Sequence, residues 1–201
     1  FLWVSTIQRK VYLSNFAIIM FKRSGQARQS MHKQHTAYSI LELAIVSQGQ
    51  TIQQTLHNSL TLAKQAEACD YKRIWFAEHH NSENIGSSAT SILIGYVAEN
   101  TNKIRVGSGG IMLPNHSPLI VAEQFGTLAH LYPNRIDLGL GRAPGTDPQT
   151  AQAIRSDFMK AAQSFPDEVS KIQNYFSLEN KNSNVRATVA EGTNVPLYIL
   201  G

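Results

Sequence analysis

Arg142 stands among glycines, in Gly139-Leu140-Gly141-Arg142-Ala143-Pro144-Gly145. A guanidinium offers a planar fork of donors suited to phosphate or carboxylate. Glycine lets a backbone come close to a ligand. The stretch from Arg135 opens with Ile136, Leu138 and Leu140 alternating against Asp137 and Gly139, the pattern of a strand. One reading is a strand whose C-terminal end holds an anion; the other is a strand end with an exposed arginine and a turn. A dinucleotide fingerprint is excluded, because the third glycine falls one place late and Pro144 interrupts the turn. A nucleotide P-loop is excluded because its Gly-Lys-Ser/Thr is absent.

Two further groups carry chemistry. Glu78-His79-His80-Asn81 places two imidazoles side by side, and on extended backbone adjacent side chains point opposite ways. His79 is the candidate for proton handling or polar binding in a pocket. His80 is expected to face the helical layer or a supporting hydrogen bond. Pro114-Asn115-His116 precedes a helix, and His116 is expected to be solvated. No zinc-type spacing links these residues, so no metal is assigned. Gly109-Gly110 lies inside a strand pattern, which it weakens unless something needs the space. A bulge would account for it; so would a flat ligand ring against bare backbone.

The elements that must position these residues alternate. Tyr38 to Val46 reads as a strand. Thr51 to Ala68 reads as a helix, with Thr51 and Gln54 as a capping box and Asp70 at its C-terminal end. A strand over 73–78 leads to a helix over 87–99, opened by Ser87 or Ser88. A strand over 104–113 leads to a helix from Pro118 to about Leu131, with Ser117 as its N-cap. After the strand from Arg135, residues 148–176 are expected to be helical in two pieces around Pro166. Residues 177–194 read as loop, and Val195 to Leu200 as a fifth strand. This order predicts parallel strands with helical crossovers, in a doubly wound sheet or a (β/α)8 barrel. A whole barrel takes about 250 residues, so there is room for only about half of one. In either architecture ligands bind at the C-terminal ends of strands, where Glu78-His79-His80, Asn115-His116 and Gly141-Arg142 all fall.

The 201 residues carry a formal charge of +4, unevenly placed. Arg9, Lys10, Lys22, Arg23, Arg28 and Lys33 lie in 1–37 with no acid, leaving 12 basic against 14 acidic residues beyond, a net −2. The basic balance therefore belongs to the N-terminal arm and is a poor sign of a nucleic-acid partner. No run reaches the length of a membrane helix, so no membrane partner is expected. The single Cys69 rules out an internal disulfide and suits a reducing compartment, hence a cytoplasmic expectation. Residues 1–37 are read as a non-conforming extension. Met31 is expected to lie near the true start, with 1–30 as upstream sequence without stable packing. Residues 38–201 form the folded part.

Four blocks resemble one family: Ile74 to His80, Val106 to His116, Glu123-Gln124-Phe125-Gly126, and Arg135 to Gly145. Together they are similar to the luciferase-like flavin monooxygenases, relatives of bacterial luciferase, over residues 38–201. The resemblance implies the (β/α)8 barrel, of which about the first half is present. It implies reduced FMN delivered by a separate flavin reductase in a transient encounter, O2 as co-substrate, and oxygenation of a small organic substrate such as an aldehyde or ketone. It places His79 in the flavin site as the catalytic residue. It makes Gly109-Gly110 a non-proline cis peptide against the flavin ring, and Gly141-Arg142 the binder of the flavin phosphate. It also implies a homodimer when the protein is complete. Two rivals stay open: a deazaflavin-dependent reductase of the same superfamily, and a flavin-binding relative without catalysis. Ala44-Ile45 departs from the Ser-Pro usual in the close branch, which touches the floor of the substrate pocket. Further phosphate ligands of the family follow the fifth strand, so the chain reads as a fragment of a longer frame.

Overall fold

A computed structural model describes residues 17–19 and 36–200. The strands are β1 (Ala17–Ile19), β2 (Ser39–Glu42), β3 (Arg73–Phe76), β4 (Arg105–Met112), β5 (Ile136–Gly141) and β6 (Leu197–Ile199). They lie in that order in one sheet. From β2 to β6 every neighbouring pair is parallel, as helical crossovers require. The crossovers carry α1 (Ile52–Ala68), α2 (Thr90–Glu99), α3 (Pro118–Leu131), and then α4 (Pro148–Ile154), α5 (Phe158–Gln163) and α6 (Phe165–Phe176). Within the stretch read as an upstream extension, Ala17–Ile19 pairs antiparallel with β2. The rest of that stretch lies outside the described residues.

The two faces of the sheet differ sharply. Ile74, Phe76, Val106, Ile136, Leu138 and Leu140 point to the helices, and none is more than 2% exposed. They pack with Leu60 and Ala63 of α1, Leu93, Ile94 and Val97 of α2, Val121 and Phe125 of α3, and Ile172 of α6. Burial of this apolar set is the main force joining helices to sheet.

The other face mixes charged side chains with the aromatic rings of Trp75 and Tyr198. Asp137 is fully buried there. It accepts from Arg105 Nε at 2.9 Å and Nη2 at 2.6 Å, and from Trp75 Nε1 at 3.4 Å. Arg73 Nη1 lies 3.3 Å away and donates to Tyr198 Oη at 2.7 Å, tying β3 to β6. The strand pattern had marked Asp137 only as a polar alternation. Asp137→Ala would leave two guanidiniums facing each other without their carboxylate. It is expected to cost about 3–5 kcal/mol, the usual loss for breaking a buried pair, measured by denaturant unfolding of the full-length protein.

Local chemistry explains most boundaries. Thr51 Oγ1 accepts from Gln54 N at 3.1 Å while Gln54 Oε1 accepts from Thr51 N at 2.9 Å, the capping box read from the sequence. Asp70 takes φ +58°, the left-handed conformation that ends α1. Cys69 is the exposed C-cap of α1. Helix α2 starts at Thr90, later than predicted, because neither Ser87 nor Ser88 caps it. The Ser87 hydroxyl instead donates to Ala77 O, which also accepts from Thr90 Oγ1 at 3.1 Å, so both hydroxyls serve the end of β3. The 148–176 stretch forms three helices instead of two. The additional break falls at Arg155-Ser156-Asp157, while Pro166 sits in the first turn of α6, where a missing N–H costs nothing. Arg135 opens the strand motif but works as a clamp. Its guanidinium donates to the carbonyls of Ala98, Thr101 and Ile104, closing the C-terminal side of α2 against β5.

Candidate active site

The C-terminal ends of β3, β4 and β5 meet, and their residues divide into a buried knot and an open side. Glu78 is 1% exposed and lies at the centre of the knot. Its Oε1 accepts from His80 Nε2 at 2.9 Å and Asn115 Nδ2 at 3.1 Å. His116 Nε2 lies 2.9 Å from both carboxylate oxygens, and Met112 N donates to Oε2 at 2.9 Å. A carboxylate accepts, so both Nε2 atoms carry the proton. Burial alone would raise the Glu78 pKa, but the bonds from His116, His80 and the Met112 N–H hold it below the ordinary carboxylate value. A depressed folded-state pKa stabilises the fold above the unfolded value of 4.5 and loses that contribution as pH falls through the folded value. Acid should therefore loosen this end of the sheet, seen as a falling melting temperature below that pH.

His80 and His79 part company as the sequence suggests, although β3 ends at Phe76 and strict strand alternation no longer governs them. His80 makes the supporting bond to Glu78. His79 is half-buried and lines a cavity of about 400 Å3 with Ile52, Asn81, Glu83, Ile85 and Ser88. Its backbone N–H is anchored on Ser87 O at 2.9 Å, and among the described residues its ring makes no hydrogen bond. His116, expected to be solvated, belongs to the knot instead, because its ring reaches across 38 residues to Glu78. Nothing local in Pro114-Asn115-His116 signals that contact; the family of strand ends brought to one edge is the only hint.

The Ala44-Ile45 departure sits at the rim of the same cavity. Ala44 is fully buried with φ +52°, and Ile45 bridges to Ile85, a lining residue. Nearby Glu42 accepts from Ala44 N and Ser59 Oγ, each at 2.9 Å. Burial raises its pKa, and those two bonds oppose the rise.

Gly109-Gly110 is a cis peptide, in β4 where the register against β5 shifts. Its surroundings leave no room for side chains. A Cβ on Gly109 would come within 2.9 Å of Leu41 Cδ1, and one on Gly110 within 2.8 Å of Gly139 O. Gly109 remains partly exposed, so bare backbone is available to a ligand. Gly141 pairs with Met112 and is buried; Arg142 follows it and is exposed. Among the described residues Arg142 makes no hydrogen bond or ion pair, in contrast to Arg73, Arg105, Arg135 and Arg155. An uncommitted guanidinium for a phosphate and side-chain-free backbone for a ring fit a phosphorylated flat cofactor, while the cavity that His79 lines includes neither Arg142 nor Gly109-Gly110.

The sequence model of the luciferase-like monooxygenases matches residues 31–190. A luciferase-like monooxygenase of Escherichia coli is 48% identical over 165 residues, covering 82% of this chain and 49% of that protein. The crystal structure of apo-MsnO8 is 36% identical with a TM-score of 0.74, covering 81% of this chain and 49% of that one. The oxygenating constituent of 3,6-diketocamphane monooxygenase from Pseudomonas putida, a type II Baeyer-Villiger monooxygenase solved in complex with FMN, shares the fold. It has a TM-score of 0.64 at 16% identity, covering 80% of this chain and 50% of that one. The chain thus spans about half the length of the curated relatives it matches, and its parallel strands and crossovers are about half of their (β/α)8 barrel. It belongs to the luciferase-like monooxygenase family.

Proposed function

We propose that the complete protein is a flavin-dependent monooxygenase that uses reduced FMN and O2 to oxygenate a small organic substrate, an aldehyde or ketone being the class favoured by the family likeness. The observation that carries this is Arg142, exposed at the glycine-lined end of β5 with no hydrogen bond or ion pair among the described residues, on the strand that pairs with the one carrying the bare Gly109-Gly110 backbone. The FMN bound by the 3,6-diketocamphane relative supports the same cofactor. Bound FMN would supply the oxygen-activating redox chemistry.

The chain's own residues do the rest. Arg142 binds the phosphate through its fork of donors, with Gly141 letting the backbone approach. Gly109 and Gly110 offer a flat surface to the ring. His79 gives or takes a proton at the imidazole nitrogen facing the cavity. Ile52 and Ile85, which line the same cavity, help exclude water, which would divert oxygen chemistry to hydrogen peroxide. Reduced FMN comes from a separate flavin reductase by transient encounter. The complete protein acts as a cytoplasmic homodimer. Among the described residues no helix is long and apolar enough to cross a membrane.

The test is isotopic. The full-length protein, reduced FMN and labelled O2 are mixed with a panel of aldehydes and ketones. One labelled oxygen atom in a product, with FMN oxidised in step, is the expected result. Flavin oxidation yielding only hydrogen peroxide across the whole panel would favour the non-catalytic flavin binder.

A further inference from the structure

The proposed function uses Arg142 and His79 and leaves Glu78, His80, Asn115 and His116 without a task. Several of the bonds around them reach the turn that carries Arg142. Asn115 Nδ2 donates both to Glu78 Oε1 at 3.1 Å and to Pro144 O at 2.9 Å. His80 N donates to Gly145 O at 3.0 Å, and Thr146 Oγ1 donates to His80 O at 3.0 Å. Gly145, at φ +64°, lies so close that a Cβ there would come within 2.6 Å of Glu78 O. Residues 144–146 are thus laid against Glu78 and His80 and fastened at successive positions. Asn115 commits its amide nitrogen to these two acceptors, while its Oδ1 is buried with no protein donor among the described residues. A buried acceptor left unmatched is a cost that native structures accept sparingly. Here it accompanies the side chain that bonds both the Glu78 carboxylate and the Pro144 carbonyl.

We propose that Glu78, His80, His116 and Asn115 form a positioning unit that sets the Arg142 turn for a phosphate, with Asn115 as its link to Pro144. The inference rests on the reading of Arg142 as the phosphate binder. Glu78 has no direct contact with the ligand in this account. Its buried carboxylate gathers four donors and so fixes the ends of β3 and β4 against each other. The turn after β5 inherits its place from that junction. A guanidinium displaced by a fraction of an ångström still carries its charge but loses its paired bonds.

The test compares FMN with riboflavin, which lacks the phosphate, in equilibrium titrations of the full-length protein. Asn115→Ala is expected to weaken FMN about tenfold, part of the strength of a charged hydrogen bond, and to leave riboflavin within about twofold, the scatter of a neutral change. Arg142→Ala should lower the same ratio at least as far. The double variant should show no further loss, because the two act on one contact. Glu78→Gln places an amide N–H among donors and should lower the ratio further than Asn115→Ala. If Glu78→Gln fails to fold, the half-buried Asn115→Ala still decides. A ratio unchanged in Asn115→Ala but lowered in Arg142→Ala would overturn the positioning role alone. Equal weakening of both ligands by Asn115→Ala would do the same, since it would mark a general loss of structure. A ratio unchanged in Arg142→Ala would overturn the phosphate reading itself and this inference with it.

Discussion

Arg142→Ala in the full-length protein should raise the dissociation constant for FMN by about ten- to over a hundredfold, the value of a charged hydrogen bond of roughly 1.5–3 kcal/mol. Chemistry in the bound state should change far less, because in the proposed function the guanidinium holds the phosphate end and has no role at the reacting ring. The side chain is exposed at the end of β5. Its removal therefore strips no core and leaves no buried group unpaired, so the melting temperature without flavin should stay close to that of the parent. A fluorescence titration separates the two effects. Weakened binding that saturation restores to near-parent turnover is the expected pattern. Unchanged affinity would remove the phosphate role.

His79→Ala should cut product formation by about 10²–10⁴-fold, the usual loss of a general acid or base, with FMN binding preserved. The imidazole faces the 400 Å3 cavity and carries no buried hydrogen bond among the described residues, so its loss should cost little stability. His80→Ala should act in the opposite sense. Removing it takes a donor from a buried carboxylate, a loss of about 1–3 kcal/mol, visible as a lower melting temperature. Turnover per folded, FMN-loaded molecule should hold within an order of magnitude of the parent. The pair is measured together, as labelled product formed beside thermal melts. Parent-like product from His79→Ala and a collapse confined to His80→Ala at unchanged stability would reverse the assignment.

The alternation of strands and helices was legible because each element carries its own periodicity and its own punctuation. Thr51 and Gln54 announced the start of α1, Asp70 its end, and Pro118 the start of α3 by bonds and dihedrals made within a few residues. The same reasoning failed at α2. Ser87 looks like a cap, but its hydroxyl is claimed by Ala77 O at the end of a strand ten residues back. Partners at long range left no trace of that kind. Asp137 alternates like any solvent-facing strand residue, yet it is buried beneath Arg73 and Arg105. His116 reads as a solvated residue before a helix and proves to be a ligand of the Glu78 carboxylate. Arg142 and His79 could be singled out as candidates by residue type and position alone, and the structure leaves the first exposed after β5 and sets the second on a cavity. The knot that holds the strand ends depends on contacts 34 to 38 residues apart, which no local pattern encodes.

The cofactor choice separates this account from its nearest rival most directly. The full-length protein, held without oxygen, is titrated in parallel with reduced FMN and with a reduced deazaflavin. The account predicts that reduced FMN binds in the micromolar range, that Arg142→Ala weakens it, and that the deazaflavin fails to compete. Tight binding of the deazaflavin with no measurable affinity for reduced FMN would contradict the monooxygenase reading and favour a reductase on the same barrel.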